Sequence, residues 1–279
     1  MTDVSVLNAP IKRRERGPGW GPLLLGLYVV LFFGFLLMPI VIVVIVSFSS
    51  SSFIVFPMPG FSLQWYQRIV DYAPFTQSLL VSIEIAVLSG LAGTALGVPG
   101  AIWAAREQGW VGQLFKNFML APISVPAILL GFSLLYMLSA MTLGVSFLSL
   151  LVTHSVVAIP YISRTVLAVY RAIPPDYEEA AAVLGASRTR VFFDVTLPLI
   201  KPGIFAGALF SVLISLDNLP LSFFFGGADS STLPVVMLSY MQNQFDPSIA
   251  AIATVQMLIA IIALGVVNAL YGIEKLTAA

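Results

Sequence analysis

Six long apolar segments constrain this sequence more than any other feature. They cover about residues 22–46, 77–104, 117–140, 145–169, 202–225 and 250–272. The hydrocarbon core of a bilayer is about 30 Å thick, and about 20 apolar helical residues cross it. A helix satisfies its own backbone hydrogen bonds in lipid, and these segments lack the alternation typical of a membrane β-barrel. We therefore predict an all-α integral membrane protein with six transmembrane helices.

Composition excludes an ordinary soluble globule. Charged residues make up 9% of the 279-residue chain, whereas about a quarter of the residues are charged in typical soluble domains. Lipid must therefore cover most of the outer surface. The absence of cysteine excludes disulfides, thiolate metal sites and thiol nucleophiles. No basic run is interleaved with aromatic residues, so we expect no nucleic-acid partner.

Lysine and arginine predict the orientation, because cytoplasmic loops carry an excess of both. An N-terminus in the cytoplasm leaves only Arg68 on the outside. The cations of the inner segments are then Lys12, Arg13, Arg14, Arg16, Arg106, Lys116, Arg171, Arg188, Arg190, Lys201 and Lys275. The first apolar segment is too long for a cleaved signal peptide, so we expect it to be retained. We predict an N-in, C-in protein with cytoplasmic tails at 1–21 and 273–279 around a transmembrane domain at 22–272.

The longest inner segment contains a loop at about 174–200. The sequence of this loop predicts two short helices joined by a turn. Three carboxylates lie in the first helical turn, where they favour the helix dipole; they are Asp176, Glu178 and Glu179. Gly185 suits the position just after a helix C-terminus. The alanine-rich face of such a helix pair could enter a groove on a partner protein. A plain surface loop between spans fits the composition equally well.

The same segment resembles the EAA loop of ATP-binding-cassette importer permeases. That pattern is E-A-A, three residues, G, nine residues, an aliphatic residue, any residue and L-P, and it falls here on Glu179-Ala180-Ala181, Gly185, Val195 and Leu197-Pro198. The resemblance implies a type I importer permease fold in which this loop docks into a cleft on a separate ATPase subunit. The residues it assigns to coupling are Glu178, Glu179, Ala180, Ala181, Gly185, Leu197 and Pro198.

The resemblance extends over roughly residues 20–272 to spermidine/putrescine-type permeases, through stretches such as LFSVLISLDNLPLSFFFGG and FSLQWYQRIV. It implies a non-catalytic subunit of the bacterial cytoplasmic (inner) membrane that binds no cofactor itself. The implied partners are an ATPase dimer that binds ATP and Mg, an extracytoplasmic solute-binding protein and a second homologous permease, as a heterodimer rather than a homodimer. The chain has no GxxxxGK[ST] motif, so energy must come from another chain. The resembling group also serves opines, aminophosphonates and other nitrogenous solutes.

Two carboxylates fall inside the predicted spans, where each costs at least about 2.5 kcal/mol on insertion scales. Glu84 lies in the second span and Asp217 in the fifth, both roughly 10–12 Å below the outer surface at about 1.5 Å per residue. If both face the interior of the bundle, they form a negative vestibule suited to a cation. Asn218 stands where the polyamine-type permeases carry a second acidic residue. Tyr161 and Asn218 are weaker candidates for the pathway, and hydrogen bonding within the bundle is the alternative role of the carboxylates.

Several further residues of the spans have structural interpretations. His154 is the one histidine of the chain, and we expect it to hydrogen-bond to a neighbouring helix rather than to hold a metal. Arg164 is expected to snorkel to the inner surface. Two GxxxG steps predict close helix contacts; they are Gly93 with Gly97 and Gly203 with Gly207.

Two other functional classes fit parts of the sequence. An ion-coupled secondary transporter would use the buried carboxylates as proton or sodium sites and would need no ATPase. An intramembrane enzyme would need a catalytic set such as HExxH or a Ser-His pair, and one histidine without cysteine disfavours it. Among importers, ferric-ion, sulfate and molybdate systems share the loop motif, but acidic residues at membrane depth argue against an anionic solute.

Overall fold

The computed structural model describes residues 20–55, 57–107, 109–227 and 230–271. The helices in these ranges are α1 Trp20–Ser47, α2 Gln64–Asp71, α3 Ala73–Arg106, α4 Trp110–Ser124, α5 Ala127–Ala140, α6 Phe147–Ala172, α7 Asp176–Val183, α8 Arg188–Val191, α9 Leu197–Leu216, α10 Leu219–Ser222, α11 Leu233–Asn243 and α12 Ser248–Tyr271. Nearly all of the two predicted tails lies outside the described residues. Within these residues, β structure is limited to an isolated bridge between Ser49 and Phe61.

Five helical segments of the described chain are long and apolar enough to cross a membrane. They are α1, α3, α6, the continuous path Arg188–Leu216, and α12 as far as Ala269. Helices α4 and α5 pass the same test only as a pair, and their axes are bent by 107° at the break between them. With that pair taken as one span, the predicted six-helix membrane fold is confirmed. The orientation in the membrane stays a prediction.

The break between α4 and α5 divides the segment predicted as one span at 117–140. Pro126 lacks an N–H group, and its ring disfavours the helical conformation in the residue before it. Val125 accordingly has an extended backbone, with φ −92° and ψ 133°. The chain therefore turns sharply here instead of continuing as one straight helix.

The fifth span begins earlier and ends earlier than the predicted range 202–225. Its helical path starts at Arg188 and passes through a π-helical turn at Phe192–Thr196, where the Leu197 N–H bonds to the Phe192 carbonyl. Such a widened turn makes room for Pro198, whose ring would clash with a carbonyl in a regular helix. The predicted second short helix of the loop is thus the first part of the span itself. At its far end the span stops at Leu216, before Asp217.

Helices α3, α6 and α9 form the centre of the bundle, and glycines set how closely they approach. A Cβ atom at Gly93 would lie 2.8 Å from the Cβ of Ala158, and one at Gly207 would lie 3.0 Å from the Cα of Ile162. The Ser163 hydroxyl donates to the Gly97 carbonyl at 3.1 Å, which requires the two backbones to be near. These contacts confirm the close helix packing predicted from the GxxxG steps.

The two predicted outer segments contain helices of their own. α2 and α11 pack with the start of α12 around a small apolar core that includes Trp65, Phe75 and Tyr240. The Trp65 indole is buried and donates to the Ser49 carbonyl at 2.7 Å. α1, by contrast, keeps most of its apolar side chains exposed and packs along α12. Its surface is suited to lipid or to another membrane subunit.

Candidate functional site

The predicted coupling loop forms a projecting knob, which we define as α7 and the turn that follows it, residues 176–187. The turn is a Schellman motif, in which the Gly185 N–H bonds to the Ala182 carbonyl at 3.0 Å and the Ala186 N–H bonds to the Ala181 carbonyl at 3.1 Å. Gly185 has a backbone φ of +85°, a conformation that residues with a side chain rarely adopt. Nothing lies within 4 Å of the position that a Cβ would take there. Backbone conformation, and not space, is therefore the reason for glycine at this position.

The tip of the knob exposes apolar side chains outside the spans. Val183 is 87% exposed and Leu184 is 88% exposed, and Tyr177 in the first turn of α7 is exposed as well. No residue of α7 is buried within this chain. Because these side chains lie on a loop and not on a lipid-facing helix, water or a partner protein must cover them.

Glu178 turns away from this surface and holds the knob against the membrane helices. Its carboxylate accepts two hydrogen bonds from Nη2 of Arg106, both at 2.9 Å, and one from Oγ1 of Thr196 at 2.6 Å. Arg106 Nε also donates to the hydroxyl of Tyr170 at 2.8 Å, and that hydroxyl lies 3.3 Å from Glu178 Oε1. The carboxylate thus joins α7 to the ends of α3 and α6 and to the π-helical turn.

The structure separates the residues that the motif groups together. Glu179 and Ala180 are exposed on the knob, whereas Leu197 packs against the bundle core and Pro198 lies in the first turn of α9. Sequence reasoning missed Arg106, Tyr170 and Thr196, because contacts across up to 72 residues leave no local pattern. The one available signal was an arginine at the end of an apolar span.

Asp217 lies at a break in the fifth span, where α9 ends and α10 begins. Its exposed side chain borders a cavity of about 320 Å³ between α9 and α12, whose other polar lining residue is Gln256. The carbonyl end of α9 adds negative character at this point. The neighbouring Asn218 side chain is used differently, since its Oδ1 accepts from the Leu221 N–H at 3.2 Å and caps α10.

The other predicted pathway residues do not line the Asp217 cavity. Glu84 is exposed on a face of α3 that is otherwise apolar, with Leu80, Val87 and Leu91 at helical spacing around it. Tyr161 packs edge-on against Phe210, with 5.5 Å between the ring centroids. The structure therefore does not bring Glu84, Asp217 and Tyr161 into one cavity of this chain.

His154 is buried between helices, as predicted. Its Nδ1 lies 2.7 Å from the Ser215 hydroxyl on α9 and its Nε2 lies 3.0 Å from the Ser222 hydroxyl on α10. These two bonds hold α6 to both sides of the break at Asp217. The expectation of an interhelical hydrogen-bond partner is confirmed. Among the described residues, no group of three or more histidine, aspartate or glutamate side chains is arranged to hold a metal ion.

Comparison with known proteins identifies relatives over most of the chain. A family model described as binding-protein-dependent transport system inner membrane component matches residues 97–273. The putrescine transport system permease protein PotI of Escherichia coli K12 is 31% identical over 80% of this chain and 81% of the relative. The spermidine/putrescine transport system permease protein PotC of Haemophilus influenzae is 28% identical over 82% of this chain and 89% of the relative.

A solved structure shares the fold at low identity. A chain of a bacterial alginate ABC transporter, in complex with its alginate pentasaccharide-bound periplasmic protein, superimposes with a TM-score of 0.72. The match covers 91% of this chain and 94% of the other, with 14% sequence identity.

Proposed function

The chain belongs to the family of binding-protein-dependent transport system inner membrane components, and from that membership we propose that it forms half of the path by which an ATP-driven importer moves a small cationic, polyamine-like solute. It is a non-catalytic permease subunit of a bacterial inner membrane. The complete importer would add an ATPase dimer with ATP and Mg, a solute-binding protein and a second permease, as a heterodimer. The knob would face the cytoplasm, with both termini on that side.

The observation that carries this proposal is the knob, a projection with an apolar tip. The exposed Val183 and Leu184 supply the hydrophobic contact that a docking cleft on an ATPase would bury. Glu179 and its neighbour Ala180 are exposed on the same helix, where a small side chain permits close approach. The left-handed Gly185 gives the turn its shape.

The Glu178 network supplies the mechanical connection from the knob to the pathway. Closure of an ATPase dimer would displace the two knobs of a permease pair. A displaced α7 would pull on Arg106 at the end of α3 and on Tyr170 at the end of α6. The permease would then exchange between two packings, one open to each side, and ATP binding would bias that equilibrium.

A positively charged solute is supported by the break in the fifth span. Asp217 combines a carboxylate with the carbonyl end of α9, and both favour a cation. Glu84 would be a second carboxylate of the path, on the α3 face that a partner permease would approach, because a carboxylate facing lipid is costly. The polyamine relatives PotI and PotC agree with a solute of this charge.

The test is substitution of the tip in the assembled importer. Val183→Asp with Leu184→Asp should remove ATP-dependent putrescine uptake into proteoliposomes and release the ATPase during purification, because charge would replace the docking surface. The matched control, Val183→Ile with Leu184→Met, keeps an apolar tip and should retain both. Full uptake by the aspartate variant would contradict the proposal. Uptake that continues without nucleotide would favour an ion-coupled secondary transporter instead.

A further inference from the structure

A basic groove lies between α4 and α6 and shares no lining residue with the Glu178 network or the Asp217 cavity. It encloses about 420 Å³. Three cationic side chains line it, namely Lys116, Arg164 and Arg171. Its remaining lining residues are Leu120, Ile123, Ser124, Leu167 and Ala168. The groove thus combines three positive charges with an apolar wall.

These charges have no counter-charge in the groove. None of its lining residues is a carboxylate. Within the ranges that the structure describes, the one salt bridge of the chain joins Arg106 to Glu178 and not to any cation of the groove. Three like charges around one space repel one another, and more strongly where the surroundings exclude water. An anionic ligand would relieve that repulsion.

The groove begins at the membrane surface on the same side as the knob. Arg171 lies in the last turn of α6, and the Arg106–Tyr170 bond places the end of α3, and hence the start of α4, at the same level. Lys116 lies six residues into α4 and lines the same groove as Arg171. Arg164 precedes Arg171 by seven residues, which is roughly 10 Å deeper at about 1.5 Å per residue.

This arrangement matches the chemistry of an anionic phospholipid. A phosphate between Lys116 and Arg171 would receive charge-assisted hydrogen bonds. Arg164 and Ser124 lie in the same part of the groove as Leu120 and Ile123, so the first two would offer polar contacts to the ester groups of the lipid while the last two pack against its acyl chains. Basic pockets between membrane helices on the cytoplasmic side bind lipid headgroups in this way. A cationic solute would be repelled here, so the groove does not belong to the proposed pathway.

We propose that the groove between α4 and α6 binds the headgroup of an anionic phospholipid. The assignment to the cytoplasmic leaflet rests on the proposed function, since that function orients the knob. A lipid held by Arg171 would brace the end of α6 five residues before the knob begins at Asp176. The charge of the bound lipid would then influence the mobility of the end of α6 and, through it, of the knob.

The experiment measures lipid binding to the purified importer complex, by native mass spectrometry after exchange into nanodiscs that contain phosphatidylglycerol or only phosphatidylcholine. Wild type should retain phosphatidylglycerol selectively. Lys116→Gln with Arg171→Gln should bind it about 30-fold more weakly, which is the contribution expected of two cations beside an anionic lipid. The matched control, Lys116→Arg with Arg171→Lys, keeps both charges and should retain the lipid.

Other occupants give different results, and each would overturn the proposal. If millimolar inorganic phosphate displaced bound phosphatidylglycerol as well as added phosphatidylglycerol does, the groove would be a small-anion site. Equal lipid retention by the glutamine variant, together with loss of the second permease from the complex, would indicate a protein interface. Lipid retention is read without ATP or transport, so a negative result here leaves the proposed function standing, and failed transport leaves the lipid site standing.

Discussion

Two adjacent glutamates in the knob have opposite surroundings. Glu178 accepts hydrogen bonds from Arg106 and Thr196 within its own chain, whereas Glu179 is exposed and available to a partner. A helical step of one residue turns the side chain by about 100°, which is enough to separate an inner from an outer face. At the scale of single residues, the knob therefore has one glutamate attached within the chain and one exposed glutamate that we propose for docking.

The two roles predict different defects. Glu178→Gln removes the charge that Arg106 pairs with, and we expect about a fivefold loss of uptake while the ATPase still co-purifies. Hydrogen bonds to charged groups contribute about 1.5–3 kcal/mol, and the half-exposed Arg106 reduces that contribution here to about 1 kcal/mol. Glu179→Gln should instead weaken ATPase retention and leave the melting temperature unchanged. Identical defects in the two variants, measured by uptake and co-purification, would contradict the assignment.

In the centre of the bundle, helices pack closely at glycine positions. At the edge of the bundle, glycine in α1 makes no such contact. Gly93 on α3 leaves room for Ala158 and Ile162 on α6, so any side chain there must displace α6. Gly34 on α1 has nothing within 4 Å of its Cβ position. At the scale of elements, helix packing thus requires the glycine in α3, whereas within this chain it does not require the glycine in α1.

This contrast predicts a difference in stability. Gly93→Val should lower the melting temperature of the purified protein, because the added side chain would overlap Ala158, whose Cβ lies 2.8 Å from the position of the new Cβ. Overpacking of this kind costs about 1–3 kcal/mol. Gly34→Val places the same side chain in open space and should leave the melting temperature within about 1 °C. Equal effects of the two substitutions would show that α3 and α6 are not in close contact.

The molecule as a whole has the surface of one part of a larger assembly. The knob projects apolar side chains beyond the spans, and α1 exposes its flanks. Asp217 faces a cavity that one chain leaves open, since it lies at the surface between α9 and α12. A second permease would close the path around it. Function at this scale therefore depends on partners that meet the exposed faces.

Two substitutions at neighbouring positions test the charge of the solute. One removes a negative charge from the pathway and the other adds one. Asp217→Asn should raise the KM for putrescine about tenfold, as expected for the loss of one charge-assisted contact. Asn218→Asp keeps an oxygen that can cap α10 and adds a negative charge, so it should lower the KM. Uptake by reconstituted importers at varied putrescine concentration provides both values. A KM that is unchanged in both variants would remove Asp217 from the pathway.

Local patterns were sufficient to find the apolar helices along the chain and the loop that carries the motif. A run of about 20 apolar residues specifies a membrane helix by itself, and the spacing from Glu179 to Pro198 identifies the loop without any contact being known. The same patterns predict the fifth span at 202–225, because Pro198 and Pro202 are typical of helix ends. The π-helical turn at Phe192–Thr196 accommodates Pro198 and lets the helix start at Arg188.

The sequence by itself determined that the chain is an all-helical membrane protein, which family it belongs to and which loop carries the EAA motif. Hydrophobicity and motif spacing act over short stretches of chain, so they can be read without a fold. Only the tertiary structure decided that Glu178 is tied to Arg106, that Glu84 and Asp217 do not share a cavity, and that Lys116 and Arg171 line one groove. Each of these depends on how helices distant in sequence rotate and pack against one another, and packing is a property of the whole bundle.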